Sequence, residues 1–160
     1  MNKYYWCVFI LNKVKYYCLW CSKSEEFFKS EEKLIYFTNM DDMRKMIKLE
    51  KLVIGEGIAE YDCERLEKYG KNYFIPPAEI LDFWNILTDI SLSLNVDFLG
   101  NERNKSIDKI HSKLFYGCNL PTVTPENMEY IPIWGKKEVK KIKRIIEDGI
   151  SILRRVFIPN

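Results

Sequence analysis

Lys3-Tyr-Tyr-Trp-Cys-Val-Phe-Ile-Leu11, Asn12-Lys13 and Val14-Lys-Tyr-Tyr-Cys-Leu-Trp-Cys21 make up the stretch whose reading decides the fold. Residues 3–11 and 14–21 are rich in aromatic and β-branched side chains. Between them Asn12 tolerates the left-handed backbone that a two-residue hairpin turn requires. Both alternation classes are apolar or aromatic, with Trp6, Val8 and Ile10 on one face and Tyr5, Cys7 and Phe9 on the other. A half-solvated hairpin would alternate apolar with polar residues, so this one is expected to be covered on both sides.

Ser22 to Lys33 reads as a charged connection and Leu34-Ile-Tyr-Phe37 as a third strand. Asn39 is a good N-cap, and Asp41 and Asp42 favour the positive end of a helix dipole. Met40, Met43, Met46 and Ile47 then turn inward on a short helix reaching to about Leu52, where Gly55 and Gly57 break it. Ile58 to Tyr61 suggests a short strand, followed by a helical turn over Asp62 to Tyr69. Pro76 and Pro77 open a helix to about Asn95, with Ile80, Trp84, Leu87 and Leu94 on one stripe and Asp82, Asn85 and Asp89 opposite. A helix from Ile107 to Tyr116 stops at Gly117, and Lys136 to Phe157 repeats Val139, Ile142, Ile146, Ile150, Leu153 and Phe157 at helical spacing. The expected fold class is α+β: an N-terminal antiparallel sheet of three or more strands packed against C-terminal helices, as a single domain over residues 1–160.

Composition supports one core. Apolar residues at 47% and aromatics at 14% can fill it, while 30% charge keeps the surface wet. A chain of this length covers roughly 70% of the surface its unfolded form exposes. The net charge of +2 is too small to specify a nucleic acid or membrane, so electrostatic recognition has to be local. The apolar opening to Leu11 is too short to span a bilayer and lacks a small-residue cleavage site, which points to a cytoplasmic protein without a membrane partner.

The residue types that carry chemistry are scattered. Cys18 and Cys21 would point to opposite faces of a strand, and Cys63, Cys118 and His111 complete no zinc-like spacing, so the five cysteines are expected to be buried free thiols. A Cys118–His111 nucleophilic pair is conceivable near the end of one helix, but that end raises a thiol pKa instead of lowering it. Gly55-Glu-Gly57 has neither the third glycine nor the Lys-Ser/Thr ending of a phosphate loop. The expectation is therefore no catalytic residue, no metal, no cofactor and no enzyme.

Charge is more informative. Glu56, Glu60, Asp62, Glu64 and Glu67 form an acidic run, opposed by Arg65 and preceded by Glu25, Glu26, Glu31 and Glu32. Asp82 and Asp89 add a helical stripe, which a solvated face would equally explain. Lys136, Lys137, Lys140, Lys141, Lys143 and Arg144 crowd the start of the last helix and are the strongest nucleic-acid signal. Between the last two helices, Lys113-Leu-Phe-Tyr-Gly-Cys-Asn-Leu-Pro121 leads through Thr122 to Tyr130-Ile-Pro-Ile-Trp134, too proline-rich for a ladder and too apolar for a disordered linker. It is either a lid on the core or a surface made for contact. Trp134, Phe115 and Leu120 are assigned to the core and Tyr130 to a contact surface.

Tyr61-Asp62, Ile80-Leu-Asp-Phe-Trp-Asn85 with Asp89, the Lys113–Pro121 tract and Tyr130-Ile-Pro-Ile-Trp134 together resemble small immunity proteins of bacterial polymorphic toxin systems, in particular those of contact-dependent growth inhibition. The likeness covers residues 34 to 155. It implies a cytoplasmic protein that binds the C-terminal domain of one cognate toxin, often a nuclease, one to one and occludes its active site. The slightly basic total departs from the acidic character expected of an inhibitor of a basic nuclease. Candidate contact residues are Glu56, Glu60, Asp62, Glu64, Asp82, Asp89 and Tyr130. The alternatives are a nucleic-acid-binding regulator using the basic last helix and a small Cys/His enzyme.

Overall fold

The computed structural model describes residues 2–69 and 74–159. Strands β1 (Lys3–Leu11) and β2 (Val14–Cys21) form the expected hairpin, in register from Leu11 opposite Val14 to Tyr4 opposite Cys21. Asn12 and Lys13 both take the left-handed backbone, with φ of 51° and 65°, which gives the turn a twist that matches its strands. A two-residue strand, β3 (Glu26–Phe27), extends the sheet beyond β2. The expected strand Leu34–Phe37 does not form. Lys29–Ser30 (β4) and Lys33–Leu34 (β5) pair as a separate small ribbon, and Phe37 bridges only to Tyr17.

Helix α1 (Met40–Leu49) starts where the sequence places it, with the Asn39 side chain accepting the Asp42 N–H at 2.9 Å. It ends three residues before Leu52. The next element, β6 (Val53–Asp62), corrects two expectations at once: it is a ten-residue strand, and it runs parallel to β1. The sheet is therefore mixed, in the order β3-β2-β1-β6, because the crossover through α1 returns the chain in the same direction. Gly55 and Gly57 do not terminate structure; they shape this strand. The register slips between Tyr4 and Trp6, so that the segment Gly55–Gly57 bulges opposite Tyr5. Gly57 sits at φ +93°, and a Cβ on Gly55 would collide with the Tyr5 ring.

Both faces of the hairpin are covered, as the doubled apolar alternation predicts. On one side Trp6 and Leu19 bury Met43 of α1, with Met40, Met46 and Ile47 packed around them. On the other, Cys7, Phe9, Leu11, Tyr16 and Cys18 meet the C-terminal helices. These are α2 (Cys63–Glu67), α3 (Pro77–Leu94), α4 (Lys105–Gly117) and α5 (Lys136–Phe157). Phe157 closes the far end of α5 onto the sheet, its ring stacked on Tyr16 at 4.5 Å between centroids. The left-handed residue after α4 is Asn119, at φ 51°, while Gly117 is the last helical residue and lies against Pro77 and Pro132.

Helix α3 is the centre of the helical layer. Besides the predicted Ile80, Trp84, Leu87 and Leu94 it buries Leu81, Phe83, Ile86 and Ile90, and Trp84 Nε1 donates to the Gly100 carbonyl at 3.0 Å. The Asp82, Asn85, Asp89 stripe remains polar along one side. Helix α5 crosses α3 at Gly149, where a Cβ would stand 3.0 Å from Leu87 Cγ and 3.2 Å from Phe83 Cε2. Gly149→Val should overpack this crossing and lower stability by about 1–3 kcal/mol, read as a lower urea midpoint at unchanged slope.

Candidate functional site

The polar stripe of α3 borders the outer strand of the sheet, with Asp82 and Asn85 exposed and Asp89 half-buried. Between them opens a cleft of about 430 Å³. Asp82, Asn85, Ile86 and Asp89 line it from the helix, Glu56 to Ala59 and Tyr61 from β6, and Tyr5 and Trp20 from the hairpin. A second cavity of about 350 Å³ shares Tyr61 and Asp82 with it and adds Glu60, Asp62, Arg65 and Glu79. Glu56, Glu60 and Asp62 of the acidic run and Asp82 and Asp89 of the helical stripe, twenty or more positions apart in the chain, thus border one trough made of these two adjoining cavities. Glu64 and Glu67 line neither.

The individual carboxylates have different duties. Glu60 pairs with Lys15 at 3.3 Å, and Asp62 caps α2 by accepting the Arg65 N–H at 3.3 Å. Glu64 accepts the backbone N–H of Asn12 and so ties α2 to the hairpin turn. Glu79 is held by Arg65 at 3.0 Å and by the Tyr69 hydroxyl. Glu56, Asp82 and Asp89 form no ion pair with a lysine or arginine among the described residues. Asp89, half-buried, accepts a hydrogen bond from the Trp20 indole at 3.0 Å.

Burial without a counter-ion moves the titrations in one direction. Desolvation pushes the Asp89 carboxyl up to about 6, with the Trp20 hydrogen bond opposing it, and desolvation also raises Asp82. The Tyr61 phenol is raised well out of reach of neutral pH, first by burial and then by Cys7, Asp82 and Asp89, so its hydroxyl stays protonated. The cleft is therefore a place where negative charge is kept at a cost, walled by aromatic rings. A guanidinium or ammonium group placed there would gain both carboxylates and ring faces.

Tyr130 is not part of this site. It lies in the loop between α4 and α5, where Asn119 clamps its backbone: Tyr130 N–H donates to Asn119 Oδ1 at 2.7 Å and its carbonyl accepts from Nδ2 at 2.9 Å. Phe115 and Trp134 pack against the core as expected, but Leu120 is exposed. Reading the sequence alone missed Tyr5 and Trp20 as walls of the cleft. The signal was present, since a two-residue turn at Asn12-Lys13 places these two rings directly opposite each other.

The thiols are free and four of the five are buried. Cys18 enters the helix-side core with Cys7, and burial raises both thiols far above the usual range. Cys63 is pushed up to about 12 by burial. Cys118 hydrogen-bonds the Leu114 carbonyl at 3.3 Å, while His111 Nε2 contacts Asn85 Oδ1 at 3.2 Å and its ring meets Trp84 edge-on. The two candidates for a nucleophilic pair thus spend their polar atoms on different partners. Among the described residues no group of three or more His, Cys, Asp and Glu side chains is placed to hold a metal, and no helix is long and apolar enough to cross a membrane. Comparison with family models, curated proteins and solved structures gives no match to this chain.

Asp89→Asn should test the cost of the unpaired charge. The amide keeps an acceptor for Trp20 and removes the ionisation. A carboxyl whose folded pKa lies above its unfolded value lowers stability once ionised in the native state, so the penalty is present above about pH 6 and vanishes as pH falls toward 4. The variant is expected to be more stable than the parent at pH 8 by about 1 kcal/mol, after discounting for the half-exposed position, and equal to it near pH 4. Thermal melts across that range check it.

Proposed function

We propose that this chain is an immunity protein, a stoichiometric inhibitor that binds the C-terminal domain of a cognate toxin and occludes its active site. The observation that carries the reading is the convergence of Glu56, Asp82 and Asp89 on one aromatic-walled cleft without cationic partners among the described residues. Carboxylates in that arrangement stand in for nucleic-acid phosphates and would receive the lysines or arginines lining a nuclease's substrate groove. Glu60 and Asp62, on the neighbouring part of the trough, extend the acidic rim. A binding surface needs no catalytic group, and its affinity would concentrate on a few central residues. Asp82 and Asp89 are those residues here, with Trp20 holding Asp89 in place. The resemblance stated from the sequence points the same way. The cytoplasm is the compartment this role implies.

The exposed cations of α5 favour a second reading, a nucleic-acid-binding regulator. Lys136, Lys137, Lys140, Lys143 and Arg144 are exposed at its start. Such binding would weaken steeply with salt, and joint replacement of Lys140, Lys141 and Arg144 by Gln would abolish it while leaving a toxin inhibitor intact.

The test is co-purification with the C-terminal domain of the protein encoded immediately upstream, paired with growth rescue on co-expression. A one-to-one complex that restores growth is expected. Asp82→Lys with Asp89→Lys should weaken it by about 100-fold or more. The parent complex should loosen as pH falls through about 6, where Asp89 takes up its proton, and Asp89→Asn should lose that pH step. A domain that neither binds nor is neutralised at any pH removes this reading, and salt-dependent nucleic-acid binding by the parent would replace it.

A further inference from the structure

The loop between α4 and α5 presents a surface independent of the acidic cleft. Ile131 and Ile133 are 75% and 86% exposed, and Met128 is 67% exposed beside them. Single exposed aliphatics are ordinary, but these stand together on a segment that is firmly held. Asn119 clamps the backbone at Tyr130 through two hydrogen bonds. Lys113 donates to the Ile133 carbonyl, lies 4.5 Å from the centroid of the Trp134 ring and pairs with Glu138 at 2.9 Å in a largely buried bridge. The loop is thus pre-organised with its isoleucines outward, the arrangement that lowers the entropic cost of association.

Its charges identify the occupant. In chain order the segment runs acidic, apolar, basic: exposed Glu126 and Glu129, then Ile131 and Ile133, then exposed Lys136 and Lys137. The mixed rim argues against an anionic membrane or nucleic acid, because Glu126 and Glu129 would face like charge. A two-fold axis through the isoleucines reverses the direction of a second copy. It sets the acidic end of each segment against the basic end of the other and buries four isoleucines between them. We infer that this loop is the centre of an isologous homodimer interface, with Ile131 and Ile133 as the apolar core and Glu126 and Glu129 facing Lys136 and Lys137 of the second copy. Leu120 and Val123, each 43% exposed, lie earlier in the same loop. An interface built on one loop falls at the small end of specific contacts, so dimerisation in the micromolar range is expected.

Sedimentation velocity of the full chain up to about 100 µM tests this, a range that covers weak dimers. A monomer–dimer equilibrium is expected. Ile131→Asp with Ile133→Asp should leave only monomer, with the circular dichroism spectrum unchanged; Ile133→Ser, a milder change, should weaken the dimer about tenfold. Glu129→Lys and Lys136→Glu should each weaken it alone, whereas an equimolar mixture of the two should associate, because the reversed copies pair position 129 with 136 and 126 with 137 and every cross-axis contact is then between opposite charges. The inference is overturned if the parent stays monomeric throughout, or if a dimer forms that ignores both isoleucines. It is also overturned if the mixed single variants associate no better than either alone. Loss of the toxin complex by the isoleucine variant of a monomeric parent would assign the patch to the toxin instead, whereas the dimer test on the chain alone does not depend on the acidic-cleft reading.

Discussion

The structure depends on one constraint, the enclosure of the middle of β1. Cys7, Val8, Phe9 and Leu11 are at most 2% exposed, and the strand is flanked by β2 on one edge and β6 on the other. Every backbone donor and acceptor of such a strand must find a ladder partner, and both side-chain faces must be covered. The two-residue turn supplies one neighbour at once. The other, β6, is parallel, and the chain reaches it through the crossover that contains α1. That helix covers the face carrying Trp6 and Leu19 on its way, while α3 and α5 cover the face carrying Cys7 and Phe9.

The acidic cleft follows from this geometry. Helix α3 is apolar around most of its circumference because it packs on the sheet, on α4 and on α5. Its Asp82, Asn85, Asp89 stripe looks across toward β6, the longer edge strand of the sheet among the described residues. That edge carries Glu56, Glu60 and Asp62 and a glycine bulge, features that deter indiscriminate strand pairing. The same edge stands opposite Asp82 and Asp89 across the cleft. The half-burial of Asp89 against Trp20 then raises its pKa and stores a stability penalty in the site, the pattern expected where recognition competes with stability.

A different solution holds the loop before α5. Its prolines exclude a ladder, so side chains supply the missing order: Asn119 pairs with the Tyr130 backbone as a strand neighbour would, and Lys113 gathers the Ile133 carbonyl, the Trp134 ring and Glu138. The Lys113–Glu138 bridge is shielded from water on most of its surface and joins α4 to the first turn of α5. Burial opposes ionisation of Glu138, but hydrogen bonds from Lys113 and the Gly135 N–H outweigh it and lower the carboxyl pKa. Ile131 and Ile133 are left exposed outside that frame.

The sequence by itself determined the features that rest on neighbours in the chain. The left-handed turn at Asn12-Lys13, the Asn39 cap, the double alternation of the first hairpin and the stripes of α3 and α5 are all set within a few residues, and the structure realises them. The parallel placement of β6 was not legible, because Gly55 and Gly57 signal a break locally and become a bulge only when Tyr5 lies across them. Nor did the chain reveal that Glu56 faces Asp82 and Asp89, that Leu120 is exposed, or that Ile131 and Ile133 point away from the core. Those outcomes depend on which distant elements meet, and apolar periodicity specifies that a face is buried without naming what buries it. Only the tertiary structure, by closing β1 between β2 and β6, decided that two separate acidic segments share one cleft.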